Sequence, residues 1–387
     1  MRTIDMLPSG GWTAPGFEPV REAFAANFED HGDLGAACCV YRDGRPVVDL
    51  WAGFADLAGG RHWQSDTVQL IFSATKGVTA VCVHRLVERG VLDLDAPIAS
   101  YWPEFAANGK GGILLRWALS HRAGLAAVDG DLTLAEVLAW NPVVRAIAAQ
   151  APNWTPGKAH GYHARSYGWI LGEVVRRATG RSLGRFLADE VAGPLGLDLW
   201  VGLPEYEQHR CARVLPPEGG LPSIADLLGA DSLTARVMSG PSDLFAYDDM
   251  WNRRDLLAAE MPSSNGVASA HALARLYAAL VGDVDGVRLL RPETVAAACV
   301  VQSDGPDRVL FVPSRFGLGF MLPPMLAPDV GPGSFGHPGA GGCLGFADPD
   351  ARLGFGYVTT RMKLEVAGDE RQKALIDATY ACLRRAS

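Results

Sequence analysis

Ser73 and Lys76 stand three positions apart in the stretch IFSATKGV (71–78), ahead of a run that reads as helix. Residues three apart share a helix face, so this hydroxyl and this amine meet one turn apart. Serine is a weak nucleophile until a base within hydrogen-bond reach takes its proton. Lysine can be that base near neutrality once burial or a neighbouring cation lowers its pKa from about 10.4. The first turn of a helix also offers unpaired N–H groups and the positive end of the dipole, which suit a developing oxyanion. Only five of the 35 basic residues are lysine. With 18 serines in the chain, chance supplies about 0.2 Ser-x-x-Lys matches, and there is one. The same letters also fit a helix cap followed by a solvated lysine, so other segments must decide.

Two of them bear on the chemistry. In WTPGKAHGYHARSYGW (154–169) a Pro-Gly turn leads to Tyr162 and then to a helical pattern. A phenol placed there can relay the serine proton if a nearby cation lowers its pKa; the alternative is a packed aromatic with its hydroxyl satisfied. In HPGAGGCLG (337–345) His337 precedes a glycine-rich run containing Gly339 and Ala340. Glycines there let backbone N–H groups approach a ligand, as an oxyanion hole requires, although a glycine-bulged strand fits too.

Other candidates fall away. Gly341-Gly-Cys-Leu-Gly345 matches a cysteine form of the nucleophile elbow, but the sequence after it reads as strand, turn and strand where the elbow needs a helix. Gly331 to Gly336 matches a dinucleotide fingerprint by letters, yet it follows a proline-rich loop and no strand. His160 and His163 have no nearby Glu, Asp or Cys to complete a ligand set, so neither a metal nor a cofactor is expected. His121, Arg122, Arg176 and Arg177 read as structural or solvated groups.

The elements that must position these residues follow from pattern. Residues 34–56 form two β-rich runs around Asp43-Gly44, a hairpin signal, and 341–361 form a second pair turning at Asp348-Pro349-Asp350. Helices are expected over 73–88, 133–150, 166–180, 182–192, 269–282 and from Asp369 to about Arg385, with loops at 213–222 and 323–333. Strands at both ends and helices between predict an α/β (α+β) fold. An antiparallel sheet built from both termini (1–72 and 265–387) carries an inserted, mostly helical region (73–264), with the site between them.

The net charge of −8 excludes phosphate-backbone binding, so no nucleic-acid partner is expected. No stretch has the length of a membrane span or a signal-peptide core, and seven scattered cysteines read as buried reduced thiols. The expectation is a cytoplasmic, unanchored protein whose oligomeric state the sequence leaves open.

Five ordered segments across roughly 34–365 resemble the serine hydrolases of the class C β-lactamase and penicillin-binding fold, and within it the family VIII-type carboxylesterase branch. They are 66–105 around Ser73 and Lys76, 116–125 (RWALSHRAGL), 154–198 around Tyr162, 263–280, and 335–358 around His337. The resemblance implies that Ser73 is the acyl nucleophile, Lys76 and Tyr162 its general acid–base pair, and the Ser73 and Ala340 N–H groups the oxyanion hole. It places the family's Lys-Thr-Gly motif on His337-Pro338-Gly339 and turns Tyr-x-Asn into Tyr162-His163-Ala164. Those departures remove groups that recognise carboxylates. They point to a small neutral ester as the substrate, with acyltransferase, D-amino-acid peptidase and weak β-lactamase as alternatives on the same fold, and a non-catalytic binder as the alternative from another class.

Overall fold

A computed structural model describes residues 8–217, 224–327, 329–363 and 369–385. The first seven residues, part of the loop expected over 213–222, and residue 328 of the loop expected over 323–333 lie outside the described residues.

The strands of the principal sheet are β1 (Ser9–Thr13), β2 (Gly35–Arg42), β3 (Arg45–Asp56), β6 (Phe335–Pro338), β7 (Leu344–Asp348) and β8 (Leu353–Thr359), with a short β4 (Arg61–His62) on β3. Their order is β1-β3-β2-β8-β7-β6, every pair antiparallel. Both predicted hairpins are present, and β8 pairs with β2, so the two ends of the chain meet in the middle of the sheet. Helices α1 (Glu18–Asp30) and, at the C-terminus, α5 (Glu370–Arg385) cover one face, and α4 (Ala270–Val281) covers the other.

The central strands are therefore buried on both sides, and the period-2 alternation assigns each side chain a face. Cys38 and Val40 join Phe24, Phe28, Leu375 and Ile376 under α1 and α5, whereas Cys39 and Tyr41 join Leu273, Leu276 and Tyr277 under α4. Each such large apolar side chain contributes about 2 kcal/mol by leaving water. Helix α4 packs directly on β8 because Gly354 and Gly356 face it: a Cβ on either would stand 2.3 or 2.2 Å from the carbonyl oxygens of Ala274 and Ala270.

Two helical expectations need correction. Residues 133–150 form two helices, Leu134–Leu138 and Asn141–Ala149, broken at Trp140 (φ 65°). Pro142, which lacks an N–H, suits the first turn of a new helix and not the interior of a long one. Residues 182–192 are α-helical only over Leu183–Leu187 before loosening into a π-type turn over Ala188–Ala192. The helices over Ser166–Thr179 (α3 below) and Ala270–Val281 match their expected spans closely. Six cysteines are buried and Cys299 is half-buried; none is in a disulfide. Among the described residues, no helix is long and apolar enough to cross a membrane.

Candidate active site

The site begins at a forced turn. Strand β5 (Gln69–Leu70) is followed by Ile71, Phe72 adopts a left-handed φ of 46°, and Ser73 follows in a single 3₁₀ turn that opens helix α2 (Thr75–Glu88). A bulky residue in that region of φ/ψ is strained, and its surroundings must hold it. The Phe72 ring packs edge-on against Trp251, 5.1 Å away, and Thr75 Oγ1 donates to the Phe72 carbonyl at 2.5 Å. Ala74, not Ser73, is the cap residue of α2, so the Ser73 hydroxyl is not spent on capping.

Two groups converge on that hydroxyl. Lys76 Nζ lies 3.2 Å from Ser73 Oγ, and Tyr162 donates its phenolic hydrogen to Ser73 Oγ at 2.8 Å. Lys76 is fully buried and donates to two main-chain carbonyls, Ala164 O at 2.7 Å and Ser263 O at 3.0 Å. No carboxylate pairs with it among the described residues. Burial, followed by the Arg165 charge, drives its pKa well below the usual lysine range. The amine also lies 4.7 Å from the centre of the Tyr162 ring.

Tyr162 corrects one expectation. Its phenol is pushed above its ordinary pKa, because burial outweighs the Ser73 hydrogen bond and the nearby Arg165 cation. The phenol is therefore protonated at ordinary pH. Its position is set from outside: its N–H donates to Asp307 Oδ1 at 3.0 Å, and its ring stacks on Phe316 and tilts against His121.

His163 is a strut. Its Nε2 accepts from the Leu125 N–H at 3.1 Å, which makes Nδ1 the protonated nitrogen that donates to Gly161 O at 2.7 Å. Its N–H in turn donates to His121 Nδ1 at 3.1 Å. His160 pairs with the Ser314 hydroxyl. Among the described residues, none of the three is hydrogen-bonded to Ser73.

The glycine-rich segment is strapped against the nucleophile turn. A Cβ on Gly339 would stand 2.2 Å from the Ile71 carbonyl oxygen, so only glycine fits as the chain passes that point. Gly339 N–H donates to Cys343 O at 2.6 Å, and Cys343 Sγ, beside Leu70 O at 3.6 Å, is buried. Strand β7 follows Cys343 directly, which removes the cysteine elbow. Among the described residues, no backbone carbonyl accepts from the Ser73 or Ala340 N–H. The His337 ring is 6.1 Å from Tyr162, and its Nδ1 donates to Pro338 O at 2.7 Å. Its buried Nε2 has no partner among the described residues. Burial and the Lys76 charge hold its pKa down at about 3, so the imidazole is neutral at ordinary pH.

Sequence reasoning missed two residues. Arg165 is buried, donates to Val237 O and Met238 O, stacks on Phe245, and has its pKa lowered to about 10 by burial. Its place three residues after Tyr162 was the available signal. Arg371 anchors the glycine-rich loop by donating to Gly341 O at 2.7 Å. It lies near the C-terminus, far from the other segments in sequence, and nothing local marked it.

The sequence profile of the Beta-lactamase family matches residues 20–379. An esterase/beta-lactamase from Mycobacterium tuberculosis, LipL, is 38% identical over 360 residues, covering 91% of this chain and 83% of that protein. Among solved structures, a family VIII carboxylesterase superposes with a TM-score of 0.87 at 38% identity, covering 97% of this chain and all of that one. EstA from Arthrobacter nitroguajacolicus gives 0.87 at 34% identity over 98% of this chain and 100% of its own, and a penicillin-binding protein homologue from Caulobacter crescentus 0.85 at 37% over 97% and 100%. With one fold matched from end to end and the Ser-x-x-Lys, tyrosine and glycine-loop segments in one place, this chain belongs to the Beta-lactamase family.

Proposed function

We propose that this protein is a serine carboxylesterase acting on small neutral esters through a Ser73 acyl-enzyme. The observation that carries the reading is the convergence of Lys76 Nζ and Tyr162 Oη on Ser73 Oγ, at 3.2 and 2.8 Å. A neutral lysine amine has two N–H donors and one lone pair. The carbonyls of Ala164 and Ser263 take the two hydrogens, which leaves the lone pair for the Ser73 proton. The ammonium formed on accepting it keeps all three partners, so both states are satisfied in place.

Ser73 Oγ then bonds to the ester carbonyl carbon, and the oxyanion is held by the Ser73 and Ala340 N–H groups. As the carbon–oxygen bond to the alcohol breaks, the Tyr162 phenol gives its proton to the leaving oxygen and is refilled from the Lys76 ammonium. Water repeats the sequence on the acyl-enzyme and regenerates Ser73. Neutral esters are favoured because His337, standing where related enzymes hold a lysine, is kept uncharged by burial and offers a substrate carboxylate no counter-charge.

A panel of short-chain nitrophenyl esters, run on wild type and Ser73→Ala, tests this. The wild type turns over and the variant loses at least about 10⁴-fold in kcat; a variant retaining full activity removes Ser73 from the chemistry. A second reading, slow β-lactam hydrolysis, is favoured by the double name of the M. tuberculosis relative. A chromogenic cephalosporin in the same panel distinguishes it: only turnover lost in Ser73→Ala would support it.

A further inference from the structure

A second group of reactive side chains lies under helix α4 and takes no part in the ester chemistry. Cys39 on β2 and Asp49 on β3 are direct register partners, and His271 is the second residue of α4. His271 Nδ1 is 2.8 Å from Asp49 Oδ2 and 3.9 Å from Cys39 Sγ, and the three atoms lie within 4.8 Å of one another. Among the described residues this is the one Cys, His and Asp group so arranged. Cys39 is fully buried, whereas Asp49 and His271 line a cleft of about 220 Å³ with Ser65, Asp66 and Asp198. The thiol forms the floor of the group and the other two ligands form its rim.

We propose that Cys39, Asp49 and His271 form a binding site for a divalent transition cation of the zinc class, with a fourth position open to the cleft. A thiolate, an imidazole and a carboxylate are the donors such an ion takes in tetrahedral sites, about 2.0 to 2.3 Å from the metal. Tetrahedral ligands at those distances stand about 3.3 to 3.6 Å apart. The imidazole–carboxylate pair must therefore open slightly and the thiol close slightly, adjustments within reach of side-chain rotation. The charges balance, since a dication meets one thiolate, one carboxylate and one neutral ring. Without the ion, the buried thiol has a 3.9 Å contact to His271 Nδ1 and faces Asp49 across the strand pair.

The surroundings of the ligands fit as well. His271 Nε2 is 2.9 Å from Tyr41 Oη. On binding, the thiol proton goes to solvent, and the single proton of the neutral ring moves from Nδ1 to Nε2, which frees the Nδ1 lone pair for the metal. Nε2–H then donates to Tyr41 Oη, the kind of outer partner that fixes a ligand imidazole. Arg275, 3.4 Å from Tyr41 Oη, is engaged by Asp285, and Arg210 is engaged by Asp198 and Glu207, so neither of these nearby cations is left uncompensated beside the site.

Cobalt(II), added to full-length protein stripped with a chelator, tests the proposal. A sulfur-to-cobalt charge-transfer band should saturate at one equivalent and be bleached by zinc. Cys38→Ser supplies an internal control, because Cys38 faces the opposite side of the sheet. The band should survive in Cys38→Ser, vanish in Cys39→Ser and His271→Ala, and need about tenfold more cobalt in Tyr41→Phe. Folded wild-type protein with no such band, or a band that persists in Cys39→Ser, overturns the site and leaves Asp49, His271 and Tyr41 as a hydrogen-bonded structural relay. The wild-type measurement alone is decisive if a variant fails to fold.

Discussion

Lys76 and Arg371 are both fully buried cations, yet their surroundings push them in opposite directions. Lys76 has two neutral carbonyls, one hydroxyl and a neighbouring guanidinium around it, and its pKa falls. Arg371 has Asp33 at 3.0 Å and Asp369 at 2.6 Å, and its charge is held more firmly than in water. Burial alone does not decide what a cation does; the presence or absence of a carboxylate does. The unpaired amine sits against the Ser73 hydroxyl, where the proposed mechanism moves a proton, and the paired guanidinium holds a loop, since Arg371 also donates to Gly341 O beside Ala340.

The largest effect that can break this contrast is at Lys76. Lys76→Ala should lower kcat on a nitrophenyl ester by about 10⁴-fold, the upper end for loss of a general base. Lys76→Arg should not rescue it, because a guanidinium stays charged and has no lone pair to offer. Substantial turnover in Lys76→Arg would show that the residue acts only as a positive charge.

Arg371→Met comes next and is read as stability. It leaves Asp33 and Asp369 as uncompensated buried carboxylates, a loss of about 3–5 kcal/mol. Denaturant unfolding measures it, and a change below about 1 kcal/mol would mean that the network contributes little to holding the fold.

How far the sequence revealed these arrangements depended on locality. Ser73 and Lys76 share one helical turn, so spacing alone suggested the pair, and the Asp43-Gly44 and Asp348-Pro349 turns announced their hairpins. The sheet from both termini was legible because strand-like alternation occurs only near the ends. Tyr162 needed the resemblance, since nothing in its own segment says that it reaches Ser73, and Ala340 was assigned an N–H for the oxyanion by the resemblance alone. The rest came from long-range packing. The Trp140 break had a local signal in Pro142, which does not suit the interior of a long helix, but the left-handed φ at Trp140 itself had none. Arg371 acts on a loop 30 positions earlier, and the rise in the Tyr162 pKa comes from burial that letters do not display.

Tyr162→Phe sharpens the contrast from the other partner. It removes one hydroxyl and keeps the ring stacked on Phe316, so kcat should fall about 10²-fold with little loss of stability. Wild-type turnover would reduce Tyr162 to packing. The pH profile separates the two partners. Lys76 must be neutral to accept a proton, so kcat/KM should fall as pH drops through its lowered pKa. Tyr162 must be protonated to donate, and burial pushes its pKa up, so the alkaline side should stay flat through the ordinary phenol range. An alkaline limb below that range would contradict the buried, protonated phenol.

The smallest effect is at His337, and its pH dependence matters more than its size. His337→Gln should cost only a few-fold in kcat/KM, because the imidazole offers an uncharged Nε2 to the substrate. An ordinary histidine changes charge near pH 6.5, and the ratio of wild type to variant would then bend there. His337 is held at about 3 by burial and by Lys76, so the ratio should stay constant from about pH 5 to about pH 9. A bend near neutrality would show that the ring gains a proton in the working enzyme. The site would then present a cation where a carboxylate-bearing substrate could use one, and the preference for neutral esters would lose its physical basis.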